Sequence, residues 1–184
     1  MTTTLKELEG SKTLKNLQTA FAGEAQAYTK YQYYASKAKK DGYEQMGAIF
    51  DETASNEKEH AKIWFKYLHD GAVPDTSDNL EDAIAGEDYE TNEMYKQFAK
   101  IARDEGFEEI AQKFEGVGAI ENEHKERYVK LLKNIDDDVV FKSDKVTVWK
   151  CRNCGYIHVG DKAPEICPVC SHPQSFFEIR ATNY

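Results

Sequence analysis

The sequence predicts a mainly α-helical protein, in which a four-helix bundle is followed by a small β-rich domain organised around metal knuckles. Helical periodicity runs almost without interruption from residue 12 to residue 135. Each of the four periodic segments carries a glutamate at one level of an otherwise largely apolar stripe. All four cysteines follow this region, in two Cys-x-x-Cys pairs. A chain of 184 residues is long enough for one medium domain and a small appendage. We expect the domains to be 1–138 and 139–184.

The four stripes advance in alternating steps of three and four residues, which is typical of the inner face of a bundle helix. In chain order they contain Leu14, Leu17, Phe21, Glu24, Tyr28, Tyr31 and Ala35; Met46, Phe50, Thr53, Glu57, His60, Trp64 and Tyr67; Leu80, Ile84, Glu87, Thr91, Met94, Phe98 and Ile101; and Ile110, Phe114, Val117, Glu121, His124, Tyr128, Leu131 and Ile135. Short breaks at Asp41-Gly42 and at Asp104-Glu105-Gly106 separate the helices of each pair, as expected for antiparallel neighbours.

The middle gap, residues 70–79, allows two interpretations. Asp78 with Glu81 three residues later resembles a capping box that opens the third helix. Fully extended, the gap spans roughly 33 Å, about one helix length, so it suits a crossover along the bundle. A compact loop is equally compatible with the sequence.

The helical region contains an internal repeat. Residues 20–24 match 83–87 at an offset of 63, and Gly42-Tyr43-Glu44 matches Gly106-Phe107-Glu108 at an offset of 64. At the same offset of 64, Glu57, Glu59 and His60 match Glu121, Glu123 and His124. Each half is therefore a helical hairpin that carries one glutamate and then one Glu-x-x-His motif. Two such halves predict a site with approximate two-fold symmetry.

The acidic residues on the inner stripes predict a two-metal site. A buried carboxylate without a partner is strongly disfavoured, and a Glu three residues before a His lies on the same helix face. Two such motifs and two further glutamates match the ligands of di-iron and di-manganese bundles. A single helical glutamate is usually solvated, but four stripes coincide here. The predicted ligands are Glu24, Glu57, His60, Glu87, Glu121 and His124.

Glu90 departs from the repeat, because its counterpart in the first half is Ala27. It lies one turn after Glu87 and is a candidate fifth carboxylate ligand. The negative charge of five carboxylates nearly balances the positive charge of either two divalent or two trivalent ions, which suits a redox centre. Tyr28, Tyr31 and Tyr95 are also compatible with an ordinary aromatic core.

The motif Cys151-x-x-Cys154 and, twelve residues later, Cys167-x-x-Cys170 predicts four thiolates around one tetrahedral metal. Spacing alone does not choose between a structural zinc ribbon and an iron centre. Iron is the better interpretation beside a candidate di-iron site, because it transfers single electrons. From Val146 onwards the chain favours short strands, with FFEI near the end as a candidate third strand.

Composition argues against several classes of function. The net charge of -9 disfavours nucleic acid and anionic membrane surfaces. The N-terminus has no signal-peptide pattern, and no segment approaches the ~20 apolar residues of a membrane span. Paired cysteines in such a chain indicate metal or redox chemistry, and we expect a cytoplasmic location.

The motifs, taken together and in this order, resemble the rubrerythrin family over nearly the whole chain. The resemblance is carried by Gly23-Glu24-Ala25-Gln26-Ala27-Tyr28, Glu57-x-x-His60, Gly86-Glu87-x-x-Glu90 with Met94-Tyr95, Glu121-x-x-His124, Cys151-x-x-Cys154-Gly155-Tyr156 and Cys167-Pro168-x-Cys170. It implies a ferritin-like di-iron bundle, a rubredoxin-like domain and three iron ions per chain. It also implies a head-to-tail homodimer that sets the cysteine iron of one subunit near the di-iron site of the other.

The resemblance further implies a role for each residue. Glu57 and Glu121 would bridge the irons, Glu24 and Glu87 would be terminal ligands, and His124 would bind one iron. His60 and Glu90 would exchange on the other iron between oxidation states. Tyr31 and Tyr95 would form hydrogen bonds to the ligand carboxylates.

The resemblance also implies a peroxidase, which would reduce hydrogen peroxide to water with electrons from an external donor protein and protect against oxidative stress. Ferroxidase or iron-handling activity is one alternative. A metal-stabilised module with a structural zinc ribbon is another, and an oxygenase would need an organic-substrate pocket.

Overall fold

The computed structural model describes residues 4–183 and confirms a mainly helical chain with a small C-terminal antiparallel sheet. The elements are α1 (Leu5–Leu8), α2 (Lys12–Lys40), α3 (Glu44–Tyr67), α4 (Thr76–Tyr89), a π-helical segment (Glu90–Met94), α5 (Tyr95–Asp104), α6 (Glu108–Asp136), β1 (Lys142–Cys151), β2 (Ile157–Lys162), a 3-10 turn (Gln174–Phe176) and β3 (Phe177–Ile179). The sequence did not predict α1. The chain divides into two compact units, the first ending at Asp75 and the second beginning at Thr76. The boundary predicted at residue 138 stays a prediction.

The predicted breaks within each hairpin are confirmed, and they are built alike. Gly42 and Gly106 adopt φ values of 85° and 86°, a left-handed conformation that costs glycine least. The amide of Tyr43 then donates to the carbonyl of Ala38, and the amide of Phe107 donates to that of Ala102. Helix α4, the π-helical segment and α5 follow one another without a break and act as one helix. The chain therefore forms two α-hairpins, α2–α3 and α4–α6, which turn through equivalent contacts.

In both hairpins the helices contact each other through small residues. The buried positions of the first are Ala35, Gly47, Ala54 and Ala61, and those of the second are Ala99, Ala102, Ala111 and Gly118. A β-carbon added at Gly118 would lie 3.1 Å from Cβ of Tyr95, so the helices approach too closely for a larger side chain. Because small residues form this seam, the large apolar side chains are left for other faces.

Several large residues of the predicted inner stripes are exposed among the residues that the structure describes. They are Met46, Tyr67, Phe98, Ile101, Ile110 and Leu131, with 40 to 56% of each surface accessible. The predicted face is correct for the glutamates, which are only partly exposed. We expected these six side chains to be buried, and within each hairpin they are not. The two helices of a hairpin contact each other through their small residues instead.

The start of α4 differs from the prediction. The helix begins at Thr76, so Asp78 lies in its first turn and does not precede it. The predicted capping box at Asp78 and Glu81 is therefore wrong. An acidic residue in the first turn still favours the helix, because it faces the positive end of the helix dipole.

The C-terminal region forms a three-stranded antiparallel sheet in the order β2-β1-β3, which confirms the predicted strands. Its core contains Trp149, Ala163 and Phe177 with the cysteines Cys151 and Cys167. The indole of Trp149 is fully buried and donates to the carbonyl of Gly160 at 3.1 Å. A metal held by the four thiols would add much to the stability of so small a core.

Across the described part of the chain, the helices are too short or too polar for a bilayer crossing.

Candidate metal centres

Three predicted ligands of the first hairpin lie together. Glu24 of α2 and Glu57 and His60 of α3 offer ligand atoms within 4.8 Å of one another. Nδ1 of His60 lies 2.8 Å from Oε2 of Glu57 and 3.9 Å from Oε1 of Glu24. The imidazole therefore presents Nδ1 to the carboxylates. The group is a half-site: two carboxylates and one imidazole aimed at a common point.

The second hairpin repeats this half-site. Glu87 of α4 and Glu121 and His124 of α6 also lie within 4.8 Å of one another. Nδ1 of His124 lies 2.8 Å from Oε2 of Glu121 and 3.5 Å from Oε1 of Glu87. The sequence repeat is therefore also a repeat of side-chain geometry. Each half-site is a structural feature of one hairpin by itself.

The carboxylates are shielded more than surface acids usually are. The side chains of Glu57, Glu87 and Glu121 are 17%, 18% and 14% exposed. Burial raises the pKa of Glu87, and the negative charge of Glu121 raises it further. Two partly dehydrated carboxylates with oxygens within 4.8 Å of each other destabilise the folded protein unless a cation offsets their charge. Oxygen and imidazole donors are suitable ligands for iron, manganese or zinc.

Glu90 lies outside the three-residue cluster but acts on it. Its charge contributes to the raised pKa of Glu87. Burial raises the pKa of Tyr95, followed by the charges of Glu90, Glu121 and Glu87. The hydroxyl of Tyr95 therefore stays protonated beside the carboxylates. Tyr31, its counterpart in the first hairpin, packs against Phe50 with ring centroids 6.0 Å apart.

The π-helical segment explains why the two halves differ by one residue. The repeat offset is 63 at Glu24 and Glu87 but 64 at Tyr31 and Tyr95, so one extra residue lies between these positions. The segment Glu90–Met94 falls within that interval. A single-turn π-helix accommodates one additional residue in an α-helix, often at a functional site. Glu90 is thus the first residue of the turn that breaks the symmetry.

Contacts with α6 fix the π-helical segment. The hydroxyl of Thr91 donates to the carbonyl of Gly118 at 3.2 Å. Lys125 of α6 forms an ion pair with Asp88, which precedes the segment. The sequence analysis missed these contacts, and the change of offset was the one signal that pointed to them.

The four cysteines form a second centre. Sγ of Cys151 lies 3.7 Å from Sγ of Cys170, and Sγ of Cys154 lies 3.7 Å from Sγ of Cys167. A tetrahedron with edges of this length has its corners about 2.3 Å from its centre, which is the ordinary metal–sulfur distance. The donor set therefore fits one tetrahedral metal, either iron or zinc.

The two knuckles have the same backbone contacts. The amide of Gly155 donates to the carbonyl of Cys151, and the amide of Ser171 donates to that of Cys167. The backbone amide of His172 lowers the pKa of Cys170 to about 6. The amide of Tyr156 lowers the pKa of Cys154, but burial and the other three thiols raise it to about 12. Four crowded sulfurs cannot all ionise without a cation among them.

Comparison with known proteins decides the family. A family model described as rubrerythrin matches residues 15–132 and 78–150, and one described as the rubrerythrin rubredoxin-like domain matches residues 149–178. The chain belongs to the rubrerythrin family. Rubrerythrins are iron-dependent redox proteins with a ferritin-like domain and a rubredoxin-like domain, so the chain is an oxidoreductase in general terms.

Curated relatives match the sequence of this chain over nearly its full length. Rubrerythrin of Nitratidesulfovibrio vulgaris is 46% identical, covering 98% of this chain and all of its own. Rubrerythrin of Porphyromonas gingivalis is also 46% identical, covering 97% of this chain and 95% of its own. A solved mixed-valence structure of nigerythrin is 31% identical and covers 98% of each chain, with a TM-score of 0.35. The family assignment rests on the sequence matches.

Proposed function

We propose that this chain reduces hydrogen peroxide to water at a two-iron carboxylate site and receives its electrons through an iron held by the four cysteines. One observation carries the proposal: two equivalent Glu, Glu-x-x-His half-sites occur in a chain that also has a tetrahedral thiol site. The first pattern suits two metals with open positions, and the second suits a one-electron carrier. Three iron ions per chain follow from this proposal.

The side chains at the carboxylate site hold charge and protons. Glu24, Glu57 and His60 would bind from one hairpin, and Glu87, Glu121 and His124 from the other. When bound, two iron ions supply the two electrons that cleave the oxygen–oxygen bond. The carboxylates balance the charge of the ions and leave coordination positions for the substrate.

Tyr95 and Glu90 give the site its asymmetry. The raised pKa of Tyr95 keeps a proton on its hydroxyl beside the carboxylates, where it can donate a hydrogen bond to them. Glu90 starts the π-helical turn and adds a carboxylate that the first hairpin lacks. Glu90 and His60 would be alternative ligands of one metal, as the family resemblance implies, and Tyr31 would be the counterpart of Tyr95.

The remaining partners follow from the same proposal. An external donor protein supplies electrons, and a homodimer brings the cysteine iron of one subunit near the carboxylate site of the other. The four cysteines are free thiols at the metal-binding spacing, as expected for a chain in a reducing compartment such as the cytoplasm.

Anaerobic mixing tests the proposal. The protein is loaded with iron, fully reduced, and mixed with either stoichiometric hydrogen peroxide or dioxygen while the visible absorbance of the cysteine-bound iron is followed. We expect peroxide to restore this absorbance much faster than dioxygen does. A Cys154→Ser variant, which removes one thiol ligand, is the control for the origin of the band.

Each contrary outcome favours a named alternative. A band indifferent to peroxide, with iron accumulating far beyond three ions per chain, would indicate ferroxidase or iron handling. Zinc at the cysteines would indicate a structural ribbon and would remove the electron path.

A further inference from the structure

We propose that Lys125 and Thr91 are positioning residues for the carboxylate site. They attach the π-helical turn to α6 at two points and thereby set the place of Glu90 relative to the other ligands. This role rests on the proposed function, because it takes Glu90 as a metal ligand. It adds the residues that put this ligand in place, all of which lie within the α4–α6 hairpin.

An ion pair attaches the chain just before the turn. Nζ of Lys125 lies 3.1 Å from Oδ1 of Asp88, and only 23% of the lysine side chain is exposed. The same Oδ1 atom accepts a hydrogen bond at 2.8 Å from the side-chain amide of Asn92, which lies in the turn itself. Asp88 therefore connects α6 to the middle of the π-helical turn.

A second contact with α6 lies within the turn. The hydroxyl of Thr91 donates to the carbonyl of Gly118 at 3.2 Å. The turn ends at Tyr95, whose amide donates to the carbonyl of Glu90 in the five-residue step of a π-helix. A β-carbon added at Gly118 would lie 3.1 Å from Cβ of Tyr95, so this end of the turn also lies against α6. Helix α6 thus contacts the chain before, within and after the turn.

The first hairpin supplies an internal comparison, because its equivalent helix, α2, is α-helical throughout. At the repeat positions of the ion pair it has Ala25 and Ala61, which cannot form one. At the position of Gly118 it has Ala54, which carries the β-carbon that the close approach of Tyr95 disfavours. The ion pair and the glycine therefore accompany the π-helical turn in one hairpin and are replaced by alanine in the other.

The spacing of the attached residues explains why the turn is π-helical. Asp88 and Tyr95 are seven residues apart, whereas their equivalents in the first hairpin, Ala25 and Tyr31, are six apart. Their partners on α6 have the same spacing as the equivalent pair on α3, so the extra residue has no counterpart across the hairpin. One residue corresponds to about 100° around an α-helix. Without the π-helical turn, the chain on its two sides would rotate by this angle, and Glu90 and Tyr95 could not both keep their places.

Close packing does not hold the turn by itself. An open cavity of about 270 Å³ lies beside it, and Thr91, Tyr95, Gly118 and Asn122 are among the residues that line it. Protein interiors leave few voids of this size, so a turn that borders one has room to relax. The polar contacts of Thr91 and Lys125 therefore supply the restraint that packing does not.

Manganese affinity tests this role without relying on peroxide turnover. Mn²⁺ prefers oxygen ligands, so it binds carboxylates in preference to thiols. Thr91→Val removes the hydroxyl, and Lys125→Met removes the charge while keeping a long side chain. In the full-length protein without iron at the carboxylates, we expect each variant to weaken Mn²⁺ binding by about tenfold, as outer partners of metal ligands do. Electron paramagnetic resonance of the free ion measures the affinity, and Thr91→Ser, which keeps the hydroxyl, should restore it.

The Glu90→Ala background shows whether these residues act through Glu90. If they position it, Thr91→Val and Lys125→Met have little further effect on Mn²⁺ affinity once Glu90 is removed, because the effects of coupled residues are not additive. A merely structural role would weaken binding by the same factor in both backgrounds and would overturn the proposal. The matched control is Lys100→Met, which removes an exposed ion pair with Asp104 on α5 and should leave the affinity unchanged.

Hydrogen exchange gives a second measurement that needs no metal. The amide of Tyr95 closes the π-helical turn, so it should exchange severalfold faster in Thr91→Val and Lys125→Met than in wild type or Lys100→Met. Wild-type exchange rates in both variants would overturn the proposal, because the turn would not depend on these contacts. A wild-type chain that binds no Mn²⁺ at the carboxylates would contradict both this role and the proposed function. Normal Mn²⁺ binding without peroxide turnover by the iron-loaded protein would contradict the proposed function alone.

Discussion

Nδ1 of His124 lies 2.8 Å from Oε2 of Glu121, and the repeat places the same contact at the same distance between His60 and Glu57. A Glu and a His three residues apart on a helix can meet in this way without strain. The pair holds the imidazole in one orientation. Each half-site is therefore preorganised within its own hairpin.

Removing the carboxylate of either pair should abolish peroxide turnover. We expect Glu57→Ala and Glu121→Ala each to lower turnover by ~100-fold or more, because even outer-sphere partners of metal ligands matter by 10- to 100-fold. The visible spectrum of the cysteine iron should not change. Steady-state peroxide consumption with an artificial donor measures the effect.

The matched control is Glu59→Ala, which lies on the same helix with its side chain 64% exposed. It should leave turnover unchanged. Full activity in Glu57→Ala would reject the assignment of Glu57 as a ligand.

Glu90→Ala gives the second hairpin the residue that the first hairpin has at the equivalent position, Ala27. We expect the helices to remain folded, and peroxide turnover to fall by about ten- to a hundredfold, since one ligand is lost and six remain. Far-ultraviolet circular dichroism and turnover assays measure the two effects. The reciprocal Ala27→Glu variant checks whether a carboxylate without the π-helical turn is sufficient. Equal turnover in Glu90→Ala and wild type would exclude Glu90 from the site.

The repeat shows how far the sequence predicts the site. Glu24, Glu87 and both Glu-x-x-His pairs follow from periodicity, because a helix fixes which residues share a face. The π-helical turn was not predicted, because its one inserted residue shows only as the change of the repeat offset from 63 to 64 and has no residue signature of its own. The exposure of Met46 and Ile110 was also missed, since periodicity identifies an apolar face but not what covers it.

The pH dependence of the metal-free protein should report on Glu87. Its pKa is raised above the ordinary 4.5 of the unfolded chain. Below pH 4.5 the group is protonated in both states and costs nothing. As the pH rises from 4.5 through the raised pKa, the unfolded state releases its proton first and the folded state loses relative stability.

Glu87→Gln should therefore raise the melting temperature of the metal-free protein at pH 7 and have little effect at pH 4. Thermal unfolding in chelator over this range measures the difference. Glu81→Gln, on the exposed part of the same helix, is the control. A stabilisation by Glu87→Gln that is the same at both pH values would contradict the raised pKa.

The two cysteine knuckles differ at one backbone position. Gly155 and Ser171 follow the second cysteine of each pair, with φ values of 79° and 58°. A left-handed conformation costs a non-glycine residue about 1 kcal/mol. We therefore expect Ser171→Gly to stabilise the cysteine domain by about 1 kcal/mol, measured by denaturant unfolding followed through its visible band. A destabilised variant would mean that the serine side chain makes a contact that outweighs the strain.

An anaerobic peroxide titration tests the central claim most directly. The fully reduced, iron-loaded protein is titrated while both the cysteine-iron band and the remaining peroxide are measured. Each peroxide accepts two electrons, so three irons per chain predict an end point of about three peroxide molecules for every two chains. An end point at one peroxide per chain, with the cysteine iron still reduced, would contradict an electron path between the two centres.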